Sequence, residues 1–384
     1  MTEHETPEHA DDEVLQHHDK FYIQATSSRT DDRTRVLKHG QMFAVFDRYG
    51  DVQPVGLGEQ GLYFDGTRFL SRLELRIGGR RPLLLSSTVK KENDLLAVDL
   101  SNPDLKELGG SLTLARGELH VFRSTFLYRG VCYERLRVSS FSREKFTVDL
   151  RIDFDADFAD IFEVRGAKRA RRGQRLSEVA SETTLIFGYQ GLDGVARRTR
   201  IQFDPAPQAL SSRQARYHLE LEPRRSVTLL VSVACQVGDD APPPQAHDQA
   251  LAALTTELGT AAFSRCRIHA TSDDLDEWLA RSISDLQMMI TVTPDGPYPY
   301  AGVPWFSTPF GRDGIITAME VLWIAPEIAR GVLAYLAVNQ ARQTSPERDA
   351  QPGKILHEAR GGEMAALGEV PFGRYYGTVD ATPL

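Results

Sequence analysis

Short apolar segments separated by turn residues fill the chain from residue 42 to about residue 237. They are rich in Val, Ile, Leu, Phe and Tyr, and several alternate apolar with polar positions, as HVFRSTFLY (120–128) and ARYHLELE (215–222) do. Gly, Pro or Asn residues lie between the segments. A period of two without intervening helical patterns predicts strands that pack into an antiparallel β-sandwich.

The pattern changes at Gly238–His247, which is acidic, rich in proline and poor in residues that pack. This composition predicts a linker, and Asp248–Leu258 beyond it predicts a short connecting helix. Ser272 and the two aspartates after it can cap another helix, whose apolar residues recur at helical spacing over 275–290. Pro326 stands at the first turn of a later helix. Helical periodicity therefore replaces strand periodicity in the last third of the chain.

We predict four parts along the chain. Residues 1–20 are acidic and rich in histidine, which is typical of a disordered tail. Residues 21–237 are assigned to the β-sandwich, 238–271 to the linker and connecting helix, and 272–384 to the first helices of a second domain. The multi-domain fold is thus an antiparallel β-sandwich followed by helices.

One stretch, Tyr300–Thr317, combines aromatic rings, prolines, glycines and an Arg-Asp pair just ahead of an apolar helix. The apolar residues of that helix are Ile315, Ile316, Met319, Leu322 and Trp323, which would share one helical face. A rigid loop that presents rings and an ion pair at the start of a helix is a common way to build a binding site.

The residue types in this stretch suit a sugar. Trp305 and Phe306 offer flat apolar surfaces for the C–H face of a pyranose ring. Arg312 offers a fork of donors and Asp313 offers acceptors, so together they can bind vicinal hydroxyls. The alternative is structural: Asp313 caps a helix that begins at Gly314, and the rings belong to the core.

A second candidate region is Ser345–Thr378, which has too little periodicity for regular structure. A long irregular segment inside a compact domain is usually functional or disordered. Its charged and aromatic residues suit hydroxyl recognition, with ordinary surface charge as the alternative for each of them. They are Lys354, His357, Glu358, Arg360, Glu363, Glu369, Arg374, Tyr375 and Tyr376.

Composition narrows the classes of partner. The net charge of −8 argues against nucleic acid and anionic membranes, because both need a basic surface. No apolar run approaches the roughly 18–20 residues of a membrane span. The three widely spaced cysteines, Cys132, Cys235 and Cys266, indicate buried thiols in a reducing compartment rather than disulfides or zinc ligands. With no signal-peptide pattern at the N-terminus, we expect a cytoplasmic protein. We also expect no metal and no cofactor.

Two charged clusters inside the sandwich have structural explanations. Asp153, Asp155, Asp157 and Asp160 alternate with apolar residues and lack the spacing of an EF-hand, so we expect a strand that leads into a turn rather than a calcium site. The arginines and lysine of 165–175 are expected to form a solvated hairpin loop that pairs with these aspartates.

Three stretches of the sequence resemble the bacterial amylo-α-1,6-glucosidase (glycogen debranching enzyme) family. They are DFDADFADIFEVRG, AGVPWFSTPFGRDGIITAMEVLWIAPEIARGVLAYLA and GKILHEARGGEMAALGEVPFGRYYGTVDATPL. The resemblance spans about Phe43 to Leu384. It implies a β-sandwich followed by an (α/α)6 toroid, and the non-reducing glucose of a glycogen-like glucan held by Arg312 and Asp313. The KILHE segment implies that His357 and Glu358 are further substrate contacts.

The resemblance also implies inverting hydrolysis of α-1,6-glucosidic branch stubs, which requires a carboxylic acid and a carboxylate on opposite sides of the bond. Candidates in this chain are Asp313, Glu358, Glu363, Glu369 and Asp380, but the family's acid and base are expected downstream of Leu384. We therefore expect an N-terminal fragment with little or no activity of its own. The alternatives are a non-catalytic carbohydrate-binding remnant and a trehalase-, rhamnosidase- or mannosylglycerate-hydrolase-like α-glycosidase. The oligomeric state is left open.

Overall fold

Strands account for most of the regular structure between residues 34 and 237 in the computed structural model of this chain. The structure describes residues 14–17, 20–23, 34–53, 58–106, 112–243, 245–261, 263 and 268–384. Cys266 and most of the predicted tail lie outside these residues.

The strands share an antiparallel arrangement with their neighbours. In chain order they are β1 (Val14–His17), β2 (Lys20–Ile23), β3 (Arg35–His39), β4 (Met42–Phe46), β5 (Gly61–Phe64), β6 (Thr67–Leu70), β7 (Arg72–Ile77), β8 (Leu83–Val89), β9 (Leu96–Ser101), β10 (Leu105–Lys106), β11 (Leu112–Leu114), β12 (Leu119–Tyr128), β13 (Val131–Ser140), β14 (Phe146–Asp155), β15 (Gln174–Ala180), β16 (Thr184–Gln190), β17 (Ala196–Asp204), β18 (Ala209–Leu210), β19 (Gln214–Leu221), β20 (Ser226–Val237), β21 (Ile290–Thr293), β22 (Gly296–Gly302) and β23 (Phe306–Pro309).

The helices are concentrated in the last third of the chain. They are α1 (Ile161–Val164), α2 (His247–Gly259), α3 (Asp273–Met289), α4 (Gly311–Glu320), α5 (Pro326–Val338) and α6 (Glu363–Ala366), with single 3-10 turns at Pro346–Arg348 and Pro371–Gly373. No helix in the described part of the chain is long and apolar enough to span a membrane.

The chain divides into two compact units, 1–33 and 34–384. In the first unit, β1 and β2 pair as an antiparallel hairpin. In the second unit, an eight-stranded sheet has the order β15-β16-β17-β20-β13-β12-β9-β8, and two four-stranded sheets have the orders β18-β19-β14-β7 and β3-β4-β5-β6. A single hydrophobic cluster contains buried side chains from all three sheets. This is the β-sandwich that the alternation predicts.

Residue alternation explains which side chains enter that core. Along β19 buried and exposed residues alternate without interruption, and β17 repeats the pattern. In β19, apolar side chains at every second position therefore face the sandwich interior, and polar or charged ones face outward. The buried positions of β17 also include Arg197 and Thr199. The predicted segment RFLSRLELRI is divided at Ser71 between β6 and β7.

The aspartates of 153–160 lie in a strand and the turn after it, as expected. Asp153 pairs with Arg151, Asp157 binds the guanidinium of Arg68, and Asp160 is the N-cap of α1 with a complete capping box.

The structure confirms where most of the predicted helices begin, but it differs from the predictions in their caps and ends. α2 and α5 begin within one residue of the sequence-based limits, and His247 is a buried helical residue rather than the last residue of the linker. Ser272 is the N-cap of α3, but its side chain makes no capping hydrogen bond. α4 ends at Glu320, so Leu322 and Trp323 lie in the turn beyond it and not on its face. The toroid stays a prediction.

Candidate functional site

The Arg-Asp pair lies in the first turn of α4. The helix begins at Gly311 with Phe310 as its N-cap, so the prediction that Asp313 caps a helix beginning at Gly314 is wrong. Gly311 N–H donates to the carbonyl oxygen of His357 at 2.9 Å. A Cβ atom at Gly311 would lie 2.0 Å from the carbonyl oxygen of Leu356, so only glycine allows this contact. The close approach holds the KILHE segment against the start of α4.

Arg312 lies between two carboxylates. Its Nη1 donates to Asp380 Oδ2 at 2.8 Å, and its Nε lies 3.6 Å from Asp313 Oδ2. The hydrogen bond to Asp380, and then the charge of Asp313, raise the pKa of Arg312. Hydrogen bonds from Thr378 and from Arg312 lower the pKa of Asp380. The Arg312 guanidinium is therefore charged and half exposed, with its fork only partly used.

Asp313 keeps one carboxylate oxygen unsatisfied. Oδ2 is buried and accepts no hydrogen bond from the residues that the structure describes. A carboxylate in the first turn of a helix is stabilised by the helix dipole, which gives Asp313 a structural contribution as well. A buried acceptor without a donor is costly unless a ligand supplies one.

His357 contributes a second unsatisfied atom beside the same helix start. Its ring contacts Phe310 at 5.5 Å and Tyr375 at 5.9 Å, both edge-on. Its Nδ1 is buried and has no hydrogen-bond partner among the described residues. The aromatic contacts fix the position of the imidazole without using that nitrogen.

Glu358 is placed differently from its neighbour. It is buried, and its Oε2 accepts from Arg360 Nε at 2.6 Å. Arg360 Nη1 also donates to the carbonyl oxygen of Trp305 at 2.9 Å. The backbone of Glu358 forms bridges to Phe310 and Tyr375. Glu358 thus ties together the two segments that carry the predicted contacts.

Trp305 and Phe306 lie at the edge of this region. Trp305 packs against a buried cluster that includes Phe43 and Phe162, whereas Phe306 is 45% exposed. The guanidinium of Arg165 lies 5.9 Å from the Trp305 ring centre and 5.6 Å from that of Phe306. Sequence reasoning missed Arg165, because a cation 140 residues earlier leaves no local signal.

The basic run is not simply a solvated loop, as the sequence suggested. The Arg169 side chain is 1% exposed and binds Glu363 Oε2 at 3.0 Å and Glu369 Oε2 at 2.6 Å. Glu363 also accepts from Tyr189 Oη and from the backbone N–H of Leu192. Burial alone would raise the pKa of Glu363, but the hydrogen bonds from Arg169, Leu192 and Tyr189 lower it. The sequence also predicts that this basic run pairs with the preceding aspartates, and one such pair is present: Arg175 Nη1 lies 3.6 Å from Asp155 Oδ1.

These contacts define what the arrangement can do chemically. Arg312, Asp313 and His357 offer a partly free fork of donors and two unsatisfied buried atoms, and Phe306 offers one exposed ring. The other candidate carboxylates, Glu358, Glu363, Glu369 and Asp380, are each bound to an arginine. The described residues contain no group of three or more His, Cys, Asp or Glu side chains placed to hold a metal ion. The geometry suits recognition of hydroxyl groups.

Comparison with known proteins bears on the family of the sandwich and on the fold. A family model described as the N-terminal domain of (some) glycogen debranching enzymes matches residues 37–232. No curated protein matches the chain.

Among solved structures, a putative kojibiose phosphorylase from the human microbiome is similar with a TM-score of 0.54 and 11% identity, over 79% of this chain and 46% of that one. At that identity the similarity shows the fold alone. A bacterial glucoamylase complexed with acarbose has a TM-score of 0.40 and 8% identity, over 87% of this chain and 56% of that one. The chain spans about half the length of these two structures.

Proposed function

Because the chain belongs to the family of the N-terminal domain of (some) glycogen debranching enzymes, we propose that it takes part in processing branched α-glucans and binds a terminal glucose unit at the start of α4. The observation that carries the proposal is the pair of unsatisfied buried atoms at the start of α4: Asp313 Oδ2, which lies 3.6 Å from Arg312 Nε, and His357 Nδ1, in the segment that is hydrogen-bonded to Gly311. A hydroxyl group can donate to the first and bond with the second, which removes both desolvation costs.

Each predicted contact has a distinct part in this proposal. Arg312 and Asp313 bind vicinal hydroxyls of the non-reducing glucose, and His357 binds a further hydroxyl. Phe306 offers an exposed ring for the apolar face of a sugar, while Trp305 and Glu358 support the segments on either side. The buried pair between Glu358 and Arg360 leaves Glu358 as a positioning residue rather than a direct contact.

The full reaction is a proposal that membership of this family supports. We propose hydrolysis of α-1,6-glucosidic branch stubs with inversion, in the cytoplasm, on a toroid to which α3, α4 and α5 belong. An inverting glycosidase needs two carboxyl groups about 6.5–9.5 Å apart with room for a water molecule. Since the candidate carboxylates other than Asp313 are bound to arginines, we assign sugar binding, not bond cleavage, to the residues of this chain.

The same observation favours a second candidate function, glucan binding without turnover. The two functions differ in one readout, the release of glucose. Three substrates distinguish the possible hydrolytic activities. Limit dextrin reports α-1,6 hydrolysis, trehalose reports a trehalase-like activity, and glucosylglycerate reports a mannosylglycerate-hydrolase-like activity. Because we assign no bond cleavage to the residues of this chain, binding of an α-1,6-branched oligosaccharide without release of any sugar is expected of the chain itself under either function, whereas release of glucose by the chain would contradict the second.

The binding site itself is tested by calorimetric titration of the full chain with an α-1,6-branched glucan oligosaccharide. Asp313→Asn replaces a charged acceptor, so we expect the dissociation constant to rise by about tenfold or more, corresponding to roughly 1.5–3 kcal/mol. Glu320→Gln at the other end of α4 removes the same charge at an exposed position and serves as the matched control. Equal affinity in wild type and Asp313→Asn would return Asp313 to a purely structural role.

A further inference from the structure

A cavity lies where the sandwich meets the C-terminal segment, and we call it the junction cavity. Its volume is about 250 Å³. Its walls share one property, which is that they come from distant parts of the chain: Gln41, Phe43, Asp65, Gly66 and Ile161 from the sandwich, and Thr293, Pro294, Tyr300, Pro304, Ser307, Thr308, Pro309, Tyr335, Ala359, Arg360 and Gly361 from the later region. None of the six predicted sugar contacts lines it.

The sandwich contributes a carboxylate to this cavity through a tight turn. Asp65 and Gly66 join β5 to β6 with φ angles of 45° and 74°, the pattern of a type I′ hairpin turn. A Cβ atom at Gly361 would lie 1.9 Å from Asp65 Oδ1, so the carboxylate lies directly against the backbone of the later segment. Burial raises the pKa of Asp65, and the charge of Arg197 opposes that shift.

The Asp65 residue is partly exposed, and no hydrogen bond to its carboxylate is found within the described part of the chain. Ser307 adds a second unsatisfied group, because its Oγ is buried without a hydrogen-bond partner among the described residues. Two other polar side chains of the lining are already engaged. The Thr308 hydroxyl donates to the carbonyl oxygen of Ala359, and Arg360 binds Glu358 and the carbonyl oxygen of Trp305.

Part of the remaining wall is apolar. Phe43, which stacks on Tyr63 with ring centres 4.6 Å apart, and the rings of Pro294, Pro304 and Pro309 supply it. A free acidic acceptor and a free hydroxyl next to such surfaces match a molecule with hydroxyl groups on its edge and C–H groups on its face. The only cation of the lining is the Arg360 guanidinium, which is engaged as described, so the cavity does not suit a phosphate or a carboxylate.

We propose that the junction cavity binds one uncharged polyhydroxylated molecule of about the size of a hexose. Asp65 accepts hydrogen bonds from adjacent hydroxyl groups, Ser307 bonds with another, and the sugar face lies on the apolar wall. Since sandwich and C-terminal segment both contribute groups, the bound molecule stabilises their contact. This site does not depend on the function proposed for Arg312, Asp313 and His357.

The experiment separates the two sites in one protein. The full chain carrying Asp313→Asn is titrated with D-glucose by calorimetry, alone and combined with Asp65→Asn or Ser307→Ala. We expect glucose binding to persist in Asp313→Asn, to weaken by about tenfold or more on adding Asp65→Asn, and to weaken severalfold on adding Ser307→Ala. Asn-Gly suits the same turn as Asp-Gly, so Asp65→Asn retains the hairpin.

Asp149→Asn, at an exposed position on β14, is the matched control and is expected to bind glucose as the Asp313→Asn background does. The proposal is overturned if Asp313→Asn alone abolishes glucose binding, or if neither Asp65→Asn nor Ser307→Ala weakens it. Tetramethylammonium tests whether Asp65 serves a cation instead. The proposal is also overturned if Asp313→Asn binds tetramethylammonium but not glucose, and if Asp65→Asn weakens the binding of that cation. These results leave the assignment of Asp313 untouched, because that rests on the branched oligosaccharide.

Discussion

The sandwich and the helical region bury their apolar residues to very different extents. In the sandwich, side chains such as Phe154, Phe203 and Leu229 are at most 1% exposed. In the helical region α3 has no buried residue, and Met319, Trp323 and Leu333 are 63%, 71% and 64% exposed. The sheets of the sandwich cover one another, whereas the helices leave part of their apolar surface in contact with solvent. An apolar pattern therefore shows which face can be buried, and only the partner element decides whether it is.

Among substitutions in the sandwich and in the helical region, we expect the largest loss of stability at a buried charge in the sandwich. Arg123 is 2% exposed and donates to Glu134 at 2.6 Å and to Asp51 at 2.5 Å. Arg123→Ala leaves two buried carboxylates without their cation, so the free energy of unfolding should fall by roughly 3–5 kcal/mol. Urea denaturation measures this change. Arg151→Ala, whose side chain is 38% exposed, should cost less than about 1 kcal/mol, and equal losses would contradict the account.

A smaller change in the free energy of unfolding is expected at the contact between the sandwich and the helical region. Lys38 on β3 is buried, and its Nζ donates to the carbonyl oxygens of Gly40 and Met288 and to Thr291 Oγ1. Burial without a carboxylate partner lowers the pKa of Lys38 from 10.5 to about 7. Between these values the folded state binds fewer protons than the unfolded state, so stability due to this group rises with pH, by at most about 1.4 kcal/mol per pH unit.

Lys38→Met removes that titration. We expect the free energy of unfolding of the wild type to gain about 1–2 kcal/mol over the variant between pH 7 and pH 9, as judged by urea denaturation at each pH. Lys91→Met, at a side chain that is 73% exposed, should follow the wild-type pH profile. Parallel profiles for wild type and Lys38→Met would show that Lys38 stays charged in the folded protein.

The smallest effect is expected at the exposed apolar surface of the helices. Trp323→Ala should change the free energy of unfolding by less than about 0.5 kcal/mol, because the ring is already in water. Phe154→Ala in the sandwich removes an aromatic ring that is 1% exposed and should cost roughly 3–5 kcal/mol. A loss above about 2 kcal/mol in Trp323→Ala would mean that the ring is covered in solution and would remove the contrast between the regions.

The sequence predicts the sandwich well because strand alternation is a local signal. HVFRSTFLY and ARYHLELE lie in β12 and β19, and the buried positions of β19 follow the alternation. In β12 the alternation holds only at the start of the strand, and every residue from Arg123 to Tyr128 is buried. The start of α4 is harder, since Gly311 and Gly314 indicate a loop while the contact of Gly311 with the backbone of Leu356 favours a helix beginning there. That contact joins residues far apart in the chain, and no local pattern encodes it.

The candidate site shows the same limit. Rings, forked donors and acceptors of Tyr300–Thr317 are visible in the sequence, and so is the polar character of the KILHE segment. The pairing of Glu358 with Arg360, of Glu363 with Arg169, and the approach of Arg165 to Trp305 are visible only in the structure. Ion pairs, one of them between residues as distant as Arg169 and Glu363, decide which carboxylates are free, so residue type alone overestimates the number of candidate contacts.

The most direct measurement is a crystal structure of the full chain with an α-1,6-branched glucan oligosaccharide. The account predicts a terminal glucose unit at the start of α4, with hydroxyl groups within hydrogen-bond distance of Arg312, Asp313 Oδ2 and His357 Nδ1. An oligosaccharide bound only to the sandwich, with those three residues unchanged and unoccupied, would contradict the assignment of the site.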